Sequence, residues 1–329
     1  MNKPAARSAV RTVLVPVGWT LRTAVGAGAR KAMPPPAVDR LLEGRMLELP
    51  GRGRTFVIDV AGPTPDAPTV VLLHALGCTA HLAWAGALTE LSRTHRVIAF
   101  DLRWHGRGIR SPRFTFVDCA DDVAAVMDEL GVEQAIIAGY SMGGAIAQHV
   151  WHRHRSRVVG LVLCSTARNF RGLKREKFFF PLLTAVTQVL AGHALARVEQ
   201  LADTLPEMPS MDRSDPATWG RSEFRSTSAW SFPEVLGELG RFNSADWVGG
   251  IDVPTAVVVT ERDHTIPRRR QRKLATSIEG ASLYTAPGGH ASIVLRAGSW
   301  QPVFREALAD VTRRADFDEQ DEPDQASGL

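Results

Sequence analysis

The sequence predicts an α/β fold, a mostly parallel, doubly wound sheet of about eight strands with a helical cap inserted late in the sheet. Short apolar segments alternate with segments of helical composition from Thr55 to Leu163, which is typical of parallel strands joined by right-handed helical crossovers. The alternation stops after Cys164 and resumes at Pro254, so a helical insertion separates two parts of one sheet. The 329 residues are enough for one large domain of this kind.

The strands are predicted from short apolar runs rich in β-branched residues. Residues 55–60 alternate apolar and polar side chains, as an edge strand does. Nearly continuous apolar runs, typical of buried parallel strands, occupy residues 69–73, 96–100, 135–138, 158–163 and 254–260. Residues 282–285 are the last predicted strand.

The helices are predicted from longer segments between these strands. Residues 118–130 have acidic side chains in the first turn, where the helix dipole favours negative charge. The predicted helices cover residues 81–92, 118–130, 144–151, 267–278 and 299–313.

Five segments follow from these patterns. Residues 39–167 and 248–314 form the two parts of the core, and residues 168–247, rich in aromatics and without a clear strand, form the cap or lid. Residues 1–38 are a basic arm with no acid and six Lys or Arg. Residues 315–329 are an acidic tail, which is predicted to be disordered because it has few apolar side chains to bury.

The arm has two open interpretations. Its apolar patch, residues 13–17, is too short to span a bilayer and lacks a cleavage site of the signal-peptide type. In the first, the arm is a helical segment that packs on the domain or stays loose. In the second, it makes a weak contact with a membrane surface. The three cysteines show no disulfide or metal spacing, which is typical of a reducing compartment, so we expect a cytoplasmic protein, membrane-peripheral if the arm binds lipid.

Two clusters of basic side chains are interpreted as solvated helix surfaces. His149, His152 and His154 are interleaved with arginines, which favours a helix end over a metal site. Residues 268–273 are basic except for Gln271, and a solvated face is favoured over a phosphate or nucleic-acid patch. We therefore expect no metal, no cofactor and no nucleic-acid partner.

The segment Gly139-Tyr140-Ser141-Met142-Gly143 has the pattern G-x-S-x-G between a buried strand and a helix. A serine at such a strand-to-helix turn is a nucleophile elbow. The turn strains the serine backbone, and the flanking glycines let strand and helix pass closely. The helix N-terminus favours negative charge beside the serine.

Three further signals accompany the elbow. His74-Ala75-Leu76-Gly77 follows a strand, and the segment from Asp101 to Gly108 reads D-L-R-W-H-G-R-G. Asp263 lies just past a strand, and His290 follows Gly288-Gly289. With these motifs, residues 57–313 resemble the α/β-hydrolase superfamily, whose order of nucleophile, acid and histidine is that of Ser141, Asp263 and His290.

The resemblance implies a role for each of these residues. His290 takes the proton of Ser141, and Asp263 holds the histidine tautomer and stabilises the imidazolium. The backbone N–H groups of Leu76 and Met142 form the oxyanion hole. His264 is the competing base, but it is adjacent to the acid and awkwardly placed to reach the serine. His74 and His105 are expected to order their loops.

The chain departs from the family pattern at two glycine positions, which hold Ala75 and Trp104. Ala75 narrows the backbone freedom of the oxyanion loop. The nucleophile is a serine, whereas haloalkane dehalogenases and epoxide hydrolases of the superfamily use aspartate, so those activities are disfavoured.

The expected activity is cleavage of a carboxylic ester of a small molecule through an acyl-enzyme intermediate. The alternatives on the same triad are a lactonase, thioesterase, amidase, C–C bond hydrolase or cofactor-free haloperoxidase. An alternative of another class is a non-catalytic member that binds a ligand. Residues 178–196 carry no formal charge and place an apolar stripe at helical spacing, so an apolar acyl chain is expected, with Tyr140, Leu183 and Val186 as substrate-binding residues.

Overall fold

One sheet organises the part of the chain that the structure, a computed structural model, describes: residues 42–170, Glu223 and residues 231–318. Eight strands of this part are paired in the order β1-β2-β4-β3-β5-β6-β7-β8. Their bounds are β1 Arg45–Leu49, β2 Gly53–Val60, β3 Thr69–Leu73, β4 Arg96–Phe100, β5 Ala135–Tyr140, β6 Val158–Cys164, β7 Thr255–Thr260 and β8 Ser282–Ala286.

The pairing confirms the predicted mostly parallel sheet. The pairs β1–β2 and β2–β4 are antiparallel, and the pairs from β4 to β8 are parallel. The prediction that residues 55–60 form an edge strand is wrong, because β1 pairs with β2 and covers its outer side. A turn with Gly51 at φ 72° connects these two strands.

Helices cover both faces of the sheet, as the doubly wound prediction requires. On one face α1 and α7 bury Trp84, Trp300 and Phe304 against the strands. On the other face α2 and α3 bury Phe116 and Trp151. The helices described are α1 Ala80–Leu91, α2 Phe116–Glu129, α3 Met142–Arg153, α4 Ser231–Arg241, α5 Arg268–Ala275, α6 Ser292–Leu295 and α7 Ala297–Asp318.

The bounds of the predicted elements agree with the structure to about two residues in most cases. The last helix is longer than predicted and runs to Asp318. Arg314 holds its final turns against the sheet by donating to the Thr255 carbonyl at 2.8 Å and to the Gly280 carbonyl at 3.1 Å.

Much of the predicted cap lies outside the described residues, as do the arm of residues 1–38 and residues 319–329 of the tail. At the described edge of the cap segment, α4 packs on the core through two glutamates. Glu234 accepts from the Phe114 N–H and Glu238 from the Phe116 N–H, each at 3.0 Å. Because Phe116 is the first residue of α2, these carboxylates lie where the dipole of that helix favours negative charge. Within the described ranges, no helix is long and apolar enough to cross a membrane.

The three neighbouring histidines lie at the end of α3. His149 packs against the rings of Phe242 and Trp247, with centroid distances of 5.4 and 5.6 Å, and His154 contacts Asp121 at 2.8 Å. Among the described residues, no group of His, Cys, Asp or Glu is arranged to hold a metal ion.

We expect His149 to make folding weaker in acid. Burial, with the nearby charges of His152 and Arg153, lowers the pKa of His149 from 6.5 to about 4. Below pH 6.5 the unfolded chain therefore binds a proton at His149, whereas the folded chain binds it only near pH 4. The free energy of unfolding should fall as the pH falls between these two values. His149→Phe keeps the ring packing and removes this titration.

Urea unfolding at several pH values between 4 and 8 measures this effect. The stability of His149→Phe should fall less steeply toward low pH than that of the wild type. Some slope should remain, because burial also lowers the pKa of His74 to about 4 and that of His105 to about 3. Parallel curves for the two proteins would contradict the assignment.

Candidate active site

The residues of the candidate site lie where parallel strands end. Ser141 follows β5, Asp263 follows β7 and His290 follows β8. The carboxyl ends of parallel strands meet at one edge of a sheet, where open α/β sheets place their sites. The sheet therefore brings together side chains that are far apart in the sequence.

Ser141 lies in a strained turn. Its φ of 55° and ψ of −112° are rare for a residue with a side chain, and its N–H is held by the Cys164 carbonyl at 2.8 Å. Helix α3 begins at the next residue, Met142, so the positive end of the helix dipole lies beside the serine.

The glycines of the elbow are required by close backbone contacts. A Cβ at Gly139 would lie 2.2 Å from the Gly143 carbonyl oxygen, and a Cβ at Gly143 would lie 2.3 Å from the Leu73 carbonyl oxygen. Both distances are far below van der Waals contact. The strand and the helix can therefore pass each other only with glycine at both positions.

The structure brings the three predicted residues into one hydrogen-bonded series. Ser141 Oγ lies 2.8 Å from His290 Nε2, and His290 Nδ1 lies 2.6 Å from Asp263 Oδ2. A carboxylate can only accept, so the ring donates to Asp263 from Nδ1, and Nε2 is left to accept from the serine hydroxyl. This is the arrangement that a general base needs.

Asp263 is held from both sides of its carboxylate. Oδ1 accepts from the N–H groups of Thr265 and Ile266 at 2.9 and 2.8 Å, and Oδ2 accepts from Gln271 Nε2 at 3.1 Å in addition to His290. The side chain is buried. His264, the competing base, is exposed on the same loop and makes no such contact with Ser141 among the described residues.

The two predicted oxyanion donors are available. Neither the Leu76 nor the Met142 N–H has a hydrogen-bond acceptor within the described part of the chain. His74 orders the loop before Leu76, because its Nδ1 donates to the Ala75 carbonyl at 2.9 Å and its Nε2 accepts from the Leu102 N–H at 2.9 Å. Burial lowers the pKa of His74 to about 4, so the ring stays neutral and can hold both bonds at neutral pH.

The segment from Asp101 to Gly108 supports the oxyanion loop, since its Leu102 N–H donates to His74. Asp101 accepts from the N–H groups of Ala80 and Arg107, each at 2.8 Å, which ties the segment to the start of α1. Arg103 makes a two-pronged ion pair with Asp122 of α2, with both N–O distances 2.8 Å. The segment therefore has a structural role, and His105, which contacts the Arg103 carbonyl, is part of it.

Trp104 keeps the backbone conformation for which the family's glycine is suited. Its φ is 66°, in the left-handed region that side chains rarely adopt. The Trp104 N–H donates to the Ile109 carbonyl at 2.9 Å, and the indole N–H donates to the Ser111 carbonyl at 2.9 Å. These bonds, and ring packing on Phe114, offset the strain.

The predicted role of Tyr140 in substrate binding is wrong in this structure. Its side chain is fully buried, and its hydroxyl donates to the His290 carbonyl at 2.7 Å. Tyr140 therefore fixes the backbone of the loop that carries His290. Burial raises the pKa of Tyr140 above its usual value, which keeps the donor protonated. Leu183 and Val186, the other two predicted substrate contacts, lie outside the described residues.

Sequence reasoning missed Gln271, which contacts Asp263 from α5. The available signal was weak: Gln271 is the one uncharged side chain in the basic run of residues 268–273. A buried position on an otherwise solvated helix favours an uncharged residue.

Comparison with known proteins agrees with the fold. A poly(3-hydroxyalkanoate) depolymerase of Ectopseudomonas oleovorans is 26% identical over 76% of this chain and 88% of its own length. A pimeloyl-[acyl-carrier protein] methyl ester esterase of Chromobacterium violaceum is 29% identical over 77% of this chain and 96% of its own. The crystal structure of an enol-lactonase from Burkholderia xenovorans LB400 superposes with a TM-score of 0.63, covering 80% of this chain and 100% of that one at 24% identity.

The family model described as alpha/beta hydrolase fold matches residues 68–297, which span β3 to α6 and include the elbow, Asp263 and His290. The resemblance found in the sequence motifs is thereby confirmed over most of the chain. This chain is a member of the α/β-hydrolase fold family.

Proposed function

We propose that this chain is a serine hydrolase that cleaves a carboxylic ester through an acyl-enzyme intermediate. The observation that carries the proposal is the series from Ser141 Oγ to His290 Nε2 at 2.8 Å and from His290 Nδ1 to Asp263 Oδ2 at 2.6 Å. Ser141 is the nucleophile, His290 the general base and acid, and Asp263 the group that orients the histidine.

The reaction has two steps on these residues. Ser141 Oγ attacks the ester carbonyl carbon while His290 Nε2 takes its proton, and the resulting oxyanion accepts hydrogen bonds from the N–H groups of Leu76 and Met142. The tetrahedral intermediate collapses, and the leaving alkoxide receives the proton from His290. A water molecule then attacks the acyl-enzyme with His290 again as base, which releases the acid and restores the serine.

The names of the relatives support a bond of the ester type. The depolymerase, the methyl ester esterase and the enol-lactonase are named for polyester, ester and lactone substrates. A lactone is a cyclic ester, so lactone hydrolysis is the second candidate on the same residues. The alternative of another class remains a member of the family that binds a ligand without turning it over.

A fluorophosphonate probe separates the hydrolase from the non-catalytic alternative. The probe phosphonylates a serine only where a base activates the hydroxyl. We expect rapid labelling of the wild type and none of Ser141→Ala, with His264→Ala labelled like the wild type. A wild-type protein that folds and is not labelled would contradict the proposal.

We further propose an apolar acyl chain, because the uncharged stretch of residues 178–196 belongs to the cap segment. Each buried methylene stabilises the bound acyl group by about 0.8 kcal/mol. In a panel of p-nitrophenyl esters, kcat/KM should rise from acetyl to medium chains. Leu183→Asp and Val186→Asp should flatten this rise more than they lower activity on the acetate. A flat or falling profile in the wild type would favour a small polar substrate such as a lactone.

The proposed reaction needs neither metal nor cofactor, and we propose that it takes place in the cytoplasm. The cysteines Cys78, Cys119 and Cys164 are all free. Fractionation of cells that express the full chain, or the chain without residues 1–38, tests both the cellular location and membrane binding by the arm. Membrane recovery of the full chain alone would show that the arm binds lipid, and recovery outside the cytoplasm would contradict the proposal.

A further inference from the structure

Gln271 is a buried polar side chain whose hydrogen bonds are all to the end of β7 and to the loop after it, which carries Asp263. It is fully buried, although its neighbours Arg268, Arg269, Arg272 and Lys273 are exposed. A buried amide is costly unless its donors and its acceptor are satisfied. Its Nε2 donates to Asp263 Oδ2 at 3.1 Å and to the Ile266 carbonyl at 2.6 Å, and its Oε1 accepts from the Thr260 N–H at 2.9 Å.

These partners fix the orientation of the amide. The Thr260 N–H can only donate, so Oε1 must face it. The Asp263 carboxylate and the Ile266 carbonyl only accept, so the amino group must face them. The amide therefore joins the end of β7, the carboxylate and the following loop in one arrangement.

Gln271 differs from the other groups that hold the carboxylate. The N–H groups of Thr265 and Ile266 bind Oδ1, the oxygen that faces away from the histidine. Among the described residues, Gln271 and His290 are the side chains that bind Oδ2. Gln271 thus limits rotation of the carboxylate at the oxygen that orients the histidine.

We propose that Gln271 is a positioning residue for the triad, acting on His290 through Asp263. The inference rests on the proposed function, since it assigns Gln271 a part in the same reaction. Gln271 does not contact the reacting atoms. It holds Oδ2 in the direction from which His290 Nδ1 is bound, and so keeps Nε2 aimed at Ser141.

Gln271→Met removes the three hydrogen bonds at similar volume. A small misplacement of a catalytic group can cost about a hundredfold in rate. We expect kcat for a p-nitrophenyl ester, per folded protein, to fall about tenfold to a hundredfold with KM changed less than about twofold, because the lost alignment matters in the transition state.

Gln271→Glu keeps the shape and the acceptor for the Thr260 N–H, and it provides a second test if the methionine variant does not fold. It places a second carboxyl group where an amide now lies 3.1 Å from Asp263 Oδ2. Two carboxyl groups at this distance do not both ionise readily, so one of them keeps its proton over a wide pH range. That proton can replace the amide N–H as the donor to Oδ2. The kcat of Gln271→Glu should therefore be closest to that of the wild type at low pH, and it should fall further below it as the pH rises and the proton is lost. Of the other titratable groups near Asp263, Tyr140 stays neutral because burial raises its pKa, and His264 is exposed.

Gln148→Met is the matched control. Gln148 is also fully buried, and it bonds the carbonyls of Gly144 and Ala167 and the Ser244 hydroxyl without contacting the triad. Thermal unfolding should show a similar loss of stability in both methionine variants. The kcat of Gln148→Met per folded protein should stay within about threefold of the wild type.

The outcomes separate this inference from the proposed function. If the wild type shows no turnover that depends on Ser141, the proposed function fails, and Gln271 has no triad to position. If the wild type is active and Gln271→Met keeps its kcat, or Gln271→Glu loses the same factor in kcat at every pH, the positioning role alone is overturned. A fall in kcat equal to that of Gln148→Met would likewise show a merely structural role.

Discussion

Ser141→Ala is expected to lower kcat by at least about four orders of magnitude while thermal unfolding stays close to that of the wild type. The hydroxyl supplies the attacking oxygen, and nothing else in the series of Ser141, His290 and Asp263 can replace it. The losses of kcat in His290→Ala and Asp263→Asn should be of the same order, since Ser141, His290 and Asp263 act as a unit. Steady-state kinetics on a p-nitrophenyl ester, with active protein counted by its folded fraction, measures the loss.

His264→Ala is the matched control for this series. His264 lies beside Asp263 in the sequence but is exposed, and its loss should change kcat less than about threefold. If His264→Ala were the crippling change and His290→Ala the mild one, the assignment of the base would be wrong.

Gly143→Ala is expected to remove most of the folded protein, or to lower the free energy of unfolding by about 3 kcal/mol or more. The added Cβ would lie 2.3 Å from the Leu73 carbonyl oxygen and 2.8 Å from the His74 carbonyl oxygen. Both are backbone atoms of β3 and the oxyanion loop, so relief would require the loop to move. Activity should therefore fall even in the fraction that folds.

Gly298→Ala provides the comparison on another helix. A Cβ at Gly298, near the start of α7, would meet nothing within 4 Å beyond its chain neighbours and the adjacent backbone of its own helix. Alanine is the better helix former there, so stability should be unchanged or rise by up to about 1 kcal/mol. Urea unfolding of both variants tests the pair, and a Gly143→Ala protein as stable as the wild type would refute the close approach of helix and strand.

The sequence predicted the core sheet well because buried parallel strands are continuous apolar runs. The run of residues 69–73 coincides with β3. It did not predict β1, whose two buried residues, Leu47 and Leu49, alternate with exposed ones over a stretch too short to stand out. Because β1 was missed, β2 was wrongly predicted to lie at the edge of the sheet.

The candidate site was predictable where local pattern and chain order carry the information. The elbow places Ser141 by its own turn geometry, and the ends of β7 and β8 place Asp263 and His290. The positions of Tyr140 and Gln271 depend instead on tertiary contacts. Tyr140 bonds the carbonyl of His290, 150 positions along the chain, and nothing in the residues around Tyr140 indicates that partner.

Trp104 shows a different limit. The sequence identified the missing glycine, but residue type alone could not tell whether the backbone turn would persist. The turn is kept because hydrogen bonds to Ile109 and Ser111, within the loop that follows Trp104, hold the residue at φ 66°.

The most direct test of the proposed mechanism is mass spectrometry of the acyl-enzyme. Wild-type protein is mixed with an excess of a p-nitrophenyl ester and quenched in acid during the first turnover, and its peptides are mapped. The proposal predicts one acyl group on the peptide that contains Ser141, and no adduct and no burst of nitrophenol in Ser141→Ala. Turnover that continues in Ser141→Ala, or an acyl group carried by another residue, would contradict it.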